Sequence, residues 1–337
     1  MKAFEIPSPE GGIDALVLAQ RPSPEPEPGQ VRVRITASAL NYRDLATVET
    51  PKGRAPSFPL VPNSDGAGEV TALGEDVAGI ALGDRVAGCF FQDWQDGPIT
   101  PAAMQSALGG ARDGVLAEEV VLRAEGLVKT PKGLNDAEAS TLPCAALTAW
   151  HALVEKGGVK PGETVLLLGT GGVSIFALQF AVMHGARAII TSSSDEKLAR
   201  ARELGAWQTL NYADNADWDQ AVIELTGGGG VDQTIEVGGP GTLEKSINAT
   251  RVAGRVSLIG ILSGAAGQIS PTAIMRKSIT LQGIYVGSRA MFLRMNWAIE
   301  AHGLKPVIDQ RFAFDQAPAA YHAMRAAGHF GKLVVTL

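Results

Sequence analysis

Apolar and polar positions alternate with period two through the first third of the chain. Val31-Arg-Val-Arg-Ile-Thr36 alternates strictly, which predicts a half-buried strand. Segments 69–74, 84–87 and 117–122 have the same character and are separated by glycine turns. From about residue 130 the period changes. Asn135 is a helix N-cap, with Glu138 at the capping-box position. Strands then alternate with helices: strand 187–191, helix 195–204, strand 208–211, helix 217–225, strand 231–237, helix 241–249 and strand 255–259. A βαβ progression of this kind predicts a parallel, doubly wound sheet. A last strand at 278–285, a helix at 288–302 and a closing strand at 331–337 follow. The closing strand is expected to return to the first, β-rich domain.

One junction in this pattern carries chemistry. The apolar run Thr164-Val-Leu-Leu-Leu168 ends in Gly169-Thr170-Gly171-Gly172 and continues into a helical pattern marked by Ile175, Leu178, Gln179 and Val182. A strand, a tight glycine turn and a helix N-terminus together offer free N–H groups and positive dipole to a pyrophosphate. Gly169, Thr170, Gly171, Gly172 and Val173 are therefore expected to hold a dinucleotide, with Ser174 in the place of the usual third glycine. The next strand ends about 20 residues further on, where the adenosine ribose of such a ligand sits.

Length and composition narrow the classes. A chain of 337 residues exceeds what one core comfortably fills, so two domains are expected. With 45% hydrophobic and 19% charged residues it has the make-up of an ordinary soluble globular protein. A net charge of −6 without a basic cluster argues against a nucleic-acid partner. No apolar run approaches membrane-spanning length, the first residues lack a signal-peptide core, and two cysteines make no disulfide framework. A cytoplasmic location is expected.

Several segments, in order, resemble the medium-chain dehydrogenase/reductases: 39–44 (Ala-Leu-Asn-Tyr-Arg-Asp), 62–70, 83–86, 142–150, 169–174 and 331–335. The resemblance spans essentially the whole chain. It implies an α/β protein with a GroES-like β-rich catalytic domain (1–128 and 285–337), a Rossmann-type dinucleotide-binding domain (129–284), and a cleft between them. It also implies that Asn41 lies beside the nicotinamide ribose, that Tyr42 points its phenol into the cleft, and that the Thr148 hydroxyl approaches the nicotinamide.

The departures from the zinc-dependent branch of that family are as telling. Where zinc alcohol dehydrogenases place a cysteine ligand this chain has Asn41, and where they place a His-Glu pair it has Ser64-Asp65; only Cys144 matches. A catalytic zinc needs three protein ligands around an open position, so no metal is expected. Cys144 then reads as a small buried wall residue, and Asp44 and Asp65 as loop anchors, Asp44 pairing with Arg43 or Arg54. Without a Lewis acid, hydride transfer to an already polarised acceptor, a quinone or an α,β-unsaturated carbonyl, is the feasible chemistry. The expected partners are such a small molecule and, through the strand at 278–285, a second copy of the chain. The alternatives are an alcohol dehydrogenase-like aldehyde or ketone reductase, and a non-catalytic NADPH-binding redox sensor. Tyr42 is either the proton donor or an amphipathic wall residue.

The choice of cofactor rests on the end of the second strand. An NAD site places a carboxylate there to bind both ribose hydroxyls. The matching residue is Ser192, followed by Ser193, with Lys197 and Arg200 one turn apart on the next helix. A serine removes the repulsion that a carboxylate would exert on a 2′-phosphate, so NADPH is expected; the same serines also suit the cap of the helix that starts near Asp195.

Overall fold

Every residue of the strand Thr164–Leu168 is buried, because helices cover both faces of the parallel sheet to which it belongs. The computed structural model describes all 337 residues. Six parallel strands form this sheet, in the order Gln208–Asn211, Arg187–Ser192, Thr164–Leu168, Val231–Glu236, Thr250–Leu258 and Thr280–Gly283. The chain starts in the middle, winds outward to one side, then returns and winds outward to the other. Strand order thus reverses between Thr164–Leu168 and Val231–Glu236, and a doubly wound sheet binds its ligand at the carboxyl ends of the strands flanking such a reversal. Helices Gly172–Met183, Asp195–Glu203, Trp218–Leu225 and Pro240–Ala249 connect the strands. Trp218 and Val222 pack with Leu166, Leu168 and Ile189, while Leu243 and Ile247 pack with Val256 and Ile279. The last strand, Thr280–Gly283, is an edge and is largely exposed.

The other sheet has seven strands and is mostly antiparallel. Its centre is Gln30–Ala39, which pairs with Asp65–Leu73, with Glu119–Arg123 and, through residues 37–39, with the closing strand Lys332–Thr336. The closing strand therefore does return to the β-rich part of the chain, where it also runs parallel to Ile308–Ala313. Val31, Val33 and Ile35 from the central strand, Leu116, Val120 and Leu122, and Tyr321 from the helix Ala317–Arg325 share one apolar core.

The chain divides into Met1–Leu147 with Val286–Leu337, and Thr148–Tyr285. The second boundary lies within a residue of the expected one; the first lies well beyond the expected 128/129. The cause is local. Leu127–Lys129 pairs with Arg85–Gly88, and the helix Asp136–Ala139 is tied to the β-rich unit. Asp136 accepts from Thr36 Oγ1 at 2.7 Å and from Arg85 Nε at 2.8 Å. The change of hydrophobic period near residue 130 marks a change of element type. Sequence patterning also omitted the helices Tyr42–Glu49 and Ala317–Arg325, and placed the start of Thr250–Leu258 at 255.

Candidate active site

In the unit Thr148–Tyr285, Leu168 leads into Gly169, whose φ of +71° is a left-handed conformation that a β-carbon would strain. Gly171, the N-cap of Gly172–Met183, has an ordinary φ of −77° and makes no side-chain cap. A β-carbon on Gly171 would meet no protein atom within 4 Å. Nothing within the protein requires glycine there; a ligand passing close over the backbone would. The N–H groups of the first helical turn, with no capping side chain, complete an anion cradle that fits a dinucleotide pyrophosphate. Ser174 closes the turn from inside, its buried hydroxyl donating to Leu168 O at 2.6 Å. Val173 lies one residue into the helix.

The neighbouring strand end lies against this turn, with Gly169 N–H directed at Thr191 Oγ1 at 3.4 Å. Ser192 is buried, and its Oγ accepts from Ser194 N–H at 3.2 Å, which leaves the hydroxyl proton to donate elsewhere. Ser193 is exposed. Ser194 caps the helix Asp195–Glu203 by accepting from Lys197 N–H. Lys197 and Arg200 are half-buried on successive turns of that helix. The nearby carboxylate Asp195 accepts from Asn211 Nδ2 at 3.0 Å. Tyr212, absent from the sequence-based site, bonds its N–H to Ser192 O at 3.1 Å and is 43% exposed. Its position after a four-residue strand carried no periodic signal.

A second feature that sequence reasoning missed lies at the end of Val231–Glu236. Glu236 is fully buried; its Oε1 accepts from Gly238 N–H (2.7 Å), Gly239 N–H (3.0 Å) and Thr242 Oγ1 (2.7 Å), while Oε2 accepts from Ser246 Oγ. This carboxylate fixes the turn 237–240 beside the reversal of strand order.

The β-rich unit holds a buried polar cluster. Asn41 ends the central strand's extension and caps Tyr42–Glu49. Asp44, in the first turn of that helix, accepts from Asn41 N–H at 2.8 Å, from Ser64 N–H at 3.3 Å and from Arg43 Nη1 at 3.2 Å. Of the two partners expected for Asp44, Arg43 is the one it has. Asp65 accepts from Ser64 Oγ at 2.6 Å and from Cys144 N–H at 3.0 Å. Burial pushes the Asp65 carboxyl up to about 6, with the Asp44 charge adding to the rise and Lys332, Ser64 and Asn41 opposing it. The Lys332 ammonium donates to Leu40 O and to Asn41 Oδ1, both at 2.5 Å. Asn41 Nδ2 faces Ser64 Oγ at 3.5 Å. Tyr321 OH donates to Asn63 Oδ1, and Asn63, at φ +67°, holds the bend leading into Ser64-Asp65.

Tyr42 follows Asn41 and is 47% exposed, and Thr148, at the start of the unit Thr148–Tyr285, is buried. Burial drives the Cys144 thiol well above its usual range, with the Asp65 and Asp44 charges adding to this. A zinc ion of the alcohol dehydrogenase kind would have to use Asn41, Ser64 and Cys144. The amide oxygen is taken by Lys332 and the serine hydroxyl donates to Asp65, which leaves the Cys144 thiol as the one soft donor. No three His, Cys, Asp or Glu side chains anywhere in the chain are grouped to hold a metal ion. These residues do not fit a catalytic zinc.

Comparison with known proteins finds matches in both parts of the chain. Residues 27–132 match the alcohol dehydrogenase GroES-like domain, and residues 172–300 match the zinc-binding dehydrogenase family, a span that includes none of Asn41, Ser64 and Cys144. A zinc-type alcohol dehydrogenase-like protein of Schizosaccharomyces pombe is 44% identical over 312 residues, which cover 90% of this chain and 89% of that protein. Among solved structures, an NAD-dependent alcohol dehydrogenase superposes with a TM-score of 0.90 at 34% identity, over the whole of both chains. The quinone oxidoreductase of Pseudomonas syringae pv. tomato superposes with a TM-score of 0.83 at 29% identity, over 100% of this chain and 99% of that one. With both domains matched and the motifs in order, the chain belongs to the medium-chain dehydrogenase/reductase family of oxidoreductases.

Proposed function

We propose that the protein is an NADPH-dependent, metal-free reductase that passes hydride to quinones or α,β-unsaturated carbonyls. The observation that supports this most is the donor set of the buried cluster: an amide held by an ammonium, a serine bonded to Asp65 and a single thiol, where a catalytic zinc needs three ligands. Unactivated alcohols lose hydride only when the forming alkoxide charge is stabilised, whereas a quinone or enone is already an acceptor. When bound, the nicotinamide supplies the hydride.

The chain's own residues orient and protonate. Gly169 to Val173 cradle the pyrophosphate, Asn41 and Thr148 meet the nicotinamide end, and Tyr42 either donates the proton or shapes the wall while water donates it. Tyr42→Phe separates the two roles, because a loss of kcat for enones larger than for quinones identifies the donor. The preference for the phosphorylated cofactor is supported by Ser192, Ser193, Lys197 and Arg200 together with the absence of a carboxylate at the strand end. A carboxylate there would repel the 2′-phosphate by a few kcal/mol at about 4 Å in an effective dielectric near 20. The exposed edge Thr280–Gly283, with Leu281 (37% exposed) on it and Tyr285 (47%) just after it, supports a homodimer.

NADPH oxidation with a benzoquinone, an α,β-unsaturated ketone and a saturated aldehyde is the test. Turnover of the first two at a kcat/KM at least tenfold above the third is expected. The reverse order would establish the aldehyde/ketone reductase favoured by the alcohol dehydrogenase relatives, and tight binding without turnover would establish a sensor.

A further inference from the structure

Lys332 lies in a strand whose residues 332–335 are all buried, and it is itself 3% exposed. A lysine so deep in an apolar strand requires partners for its ammonium. The antiparallel register that sets Val334 opposite Ala39, continued by two residues, sets Lys332 opposite Asn41. Leu40 N–H donates to Leu333 O at 3.0 Å, so the backbone holds this register up to the site. The side chain then spends two of its three donors on Leu40 O and Asn41 Oδ1.

We infer that Lys332 is a positioning residue for the cofactor site, its buried ammonium locking the Asn41 amide with Oδ1 on the ammonium and Nδ2 on the opposite side as the donor. The two ends of an amide differ only in hydrogen bonding, and neighbours decide which way it faces. An ammonium has no acceptor, so it tolerates only the oxygen. Nδ2 is turned toward Ser64 Oγ at 3.5 Å and stabilises the Asp65 carboxylate, and a contact of that length is one an incoming ribose oxygen can replace. The same ammonium opposes the negative charge of Asp65 beside it. The inference rests on the reading that Asn41 meets the nicotinamide ribose.

A double-mutant cycle tests it, with NADPH dissociation constants from nicotinamide fluorescence and melting temperatures for wild type, Lys332→Met, Asn41→Ala and the double variant. Each single change is expected to weaken NADPH about tenfold, the size of a lost charge-assisted or cofactor hydrogen bond. The double variant is expected to be no weaker than the worse single one, because Lys332 acts through Asn41. Losses that multiply, or a Lys332→Met protein with a lowered melting temperature and an unchanged dissociation constant, overturn the inference. An Asn41→Ala protein that binds NADPH like wild type overturns instead the assignment of Asn41 to the cofactor, and the inference with it. If Lys332→Met does not fold, Lys332→Arg carries the same cycle: its guanidinium cannot meet both acceptors as the ammonium does, so a smaller loss that vanishes beside Asn41→Ala is expected, and a loss that persists there overturns the inference.

Discussion

Single residues decide which cofactor and which pH range suit the protein. Ser192→Asp places a carboxylate at the end of Arg187–Ser192, and the NADPH-over-NADH ratio of kcat/KM is expected to fall by at least tenfold. An unchanged ratio would move the 2′-phosphate away from Ser192. Asp65 gives a pH signature of unusual sign. Burial raises its pKa from 3.8 to about 6, so between those values the folded protein holds a proton that the unfolded chain has released. Stability from this group is greatest below about pH 4, falls as pH rises to 6, and is level above, a span on the order of 3 kcal/mol. Urea midpoints from pH 4 to 7 are expected to show that loss in wild type and not in Asp65→Asn; parallel profiles would contradict it. Asn41, Ser64, Asp65 and Cys144 were legible in sequence because each stands at a motif position. Lys332 also lies in a motif, 331–335, but its role was not legible, since a lysine after Gly331 reads as the polar start of a strand and only the register reveals what it faces.

At the scale of elements, hydrophobic period located the parallel strands and their helices well, because long buried runs and amphipathic helices have a strong repeat. It failed at Tyr42–Glu49, where eight residues with Asp44 and Thr47 turned inward break the apolar stripe. It failed again at the joint between units, where Leu127–Lys129 and Asp136–Ala139 are too short to show their allegiance. The glycine turn permits a separation of folding from binding. Gly171→Ala adds a methyl group that meets no protein atom at an ordinary φ, so its stability is expected to stay within about 0.5 kcal/mol of wild type. NADPH affinity is expected to fall at least tenfold as the methyl group enters the pyrophosphate's path. Calorimetry and fluorescence titration check the two halves; intact affinity would show that the ligand does not cross this turn.

For the molecule as a whole, the order of motifs identified the family, and its two matched domains reproduce the expected pairing of a GroES-like unit with a Rossmann-type sheet. What no pattern of residues supplies is the acceptor, because pocket shape follows from loops whose conformation has no sequence period. The cluster around Asn41 and Lys332 instead makes a statement about chemistry: charge within it is balanced by side chains, and the proposed function has hydride transfer there proceed without zinc. NADPH oxidation with a benzoquinone, assayed before and after exhaustive dialysis against a chelator and with zinc content measured alongside, decides the matter. An unchanged kcat/KM in protein holding less than about a tenth of an equivalent of zinc is the expected result. Activity that disappears with the metal and returns when zinc is restored would contradict it.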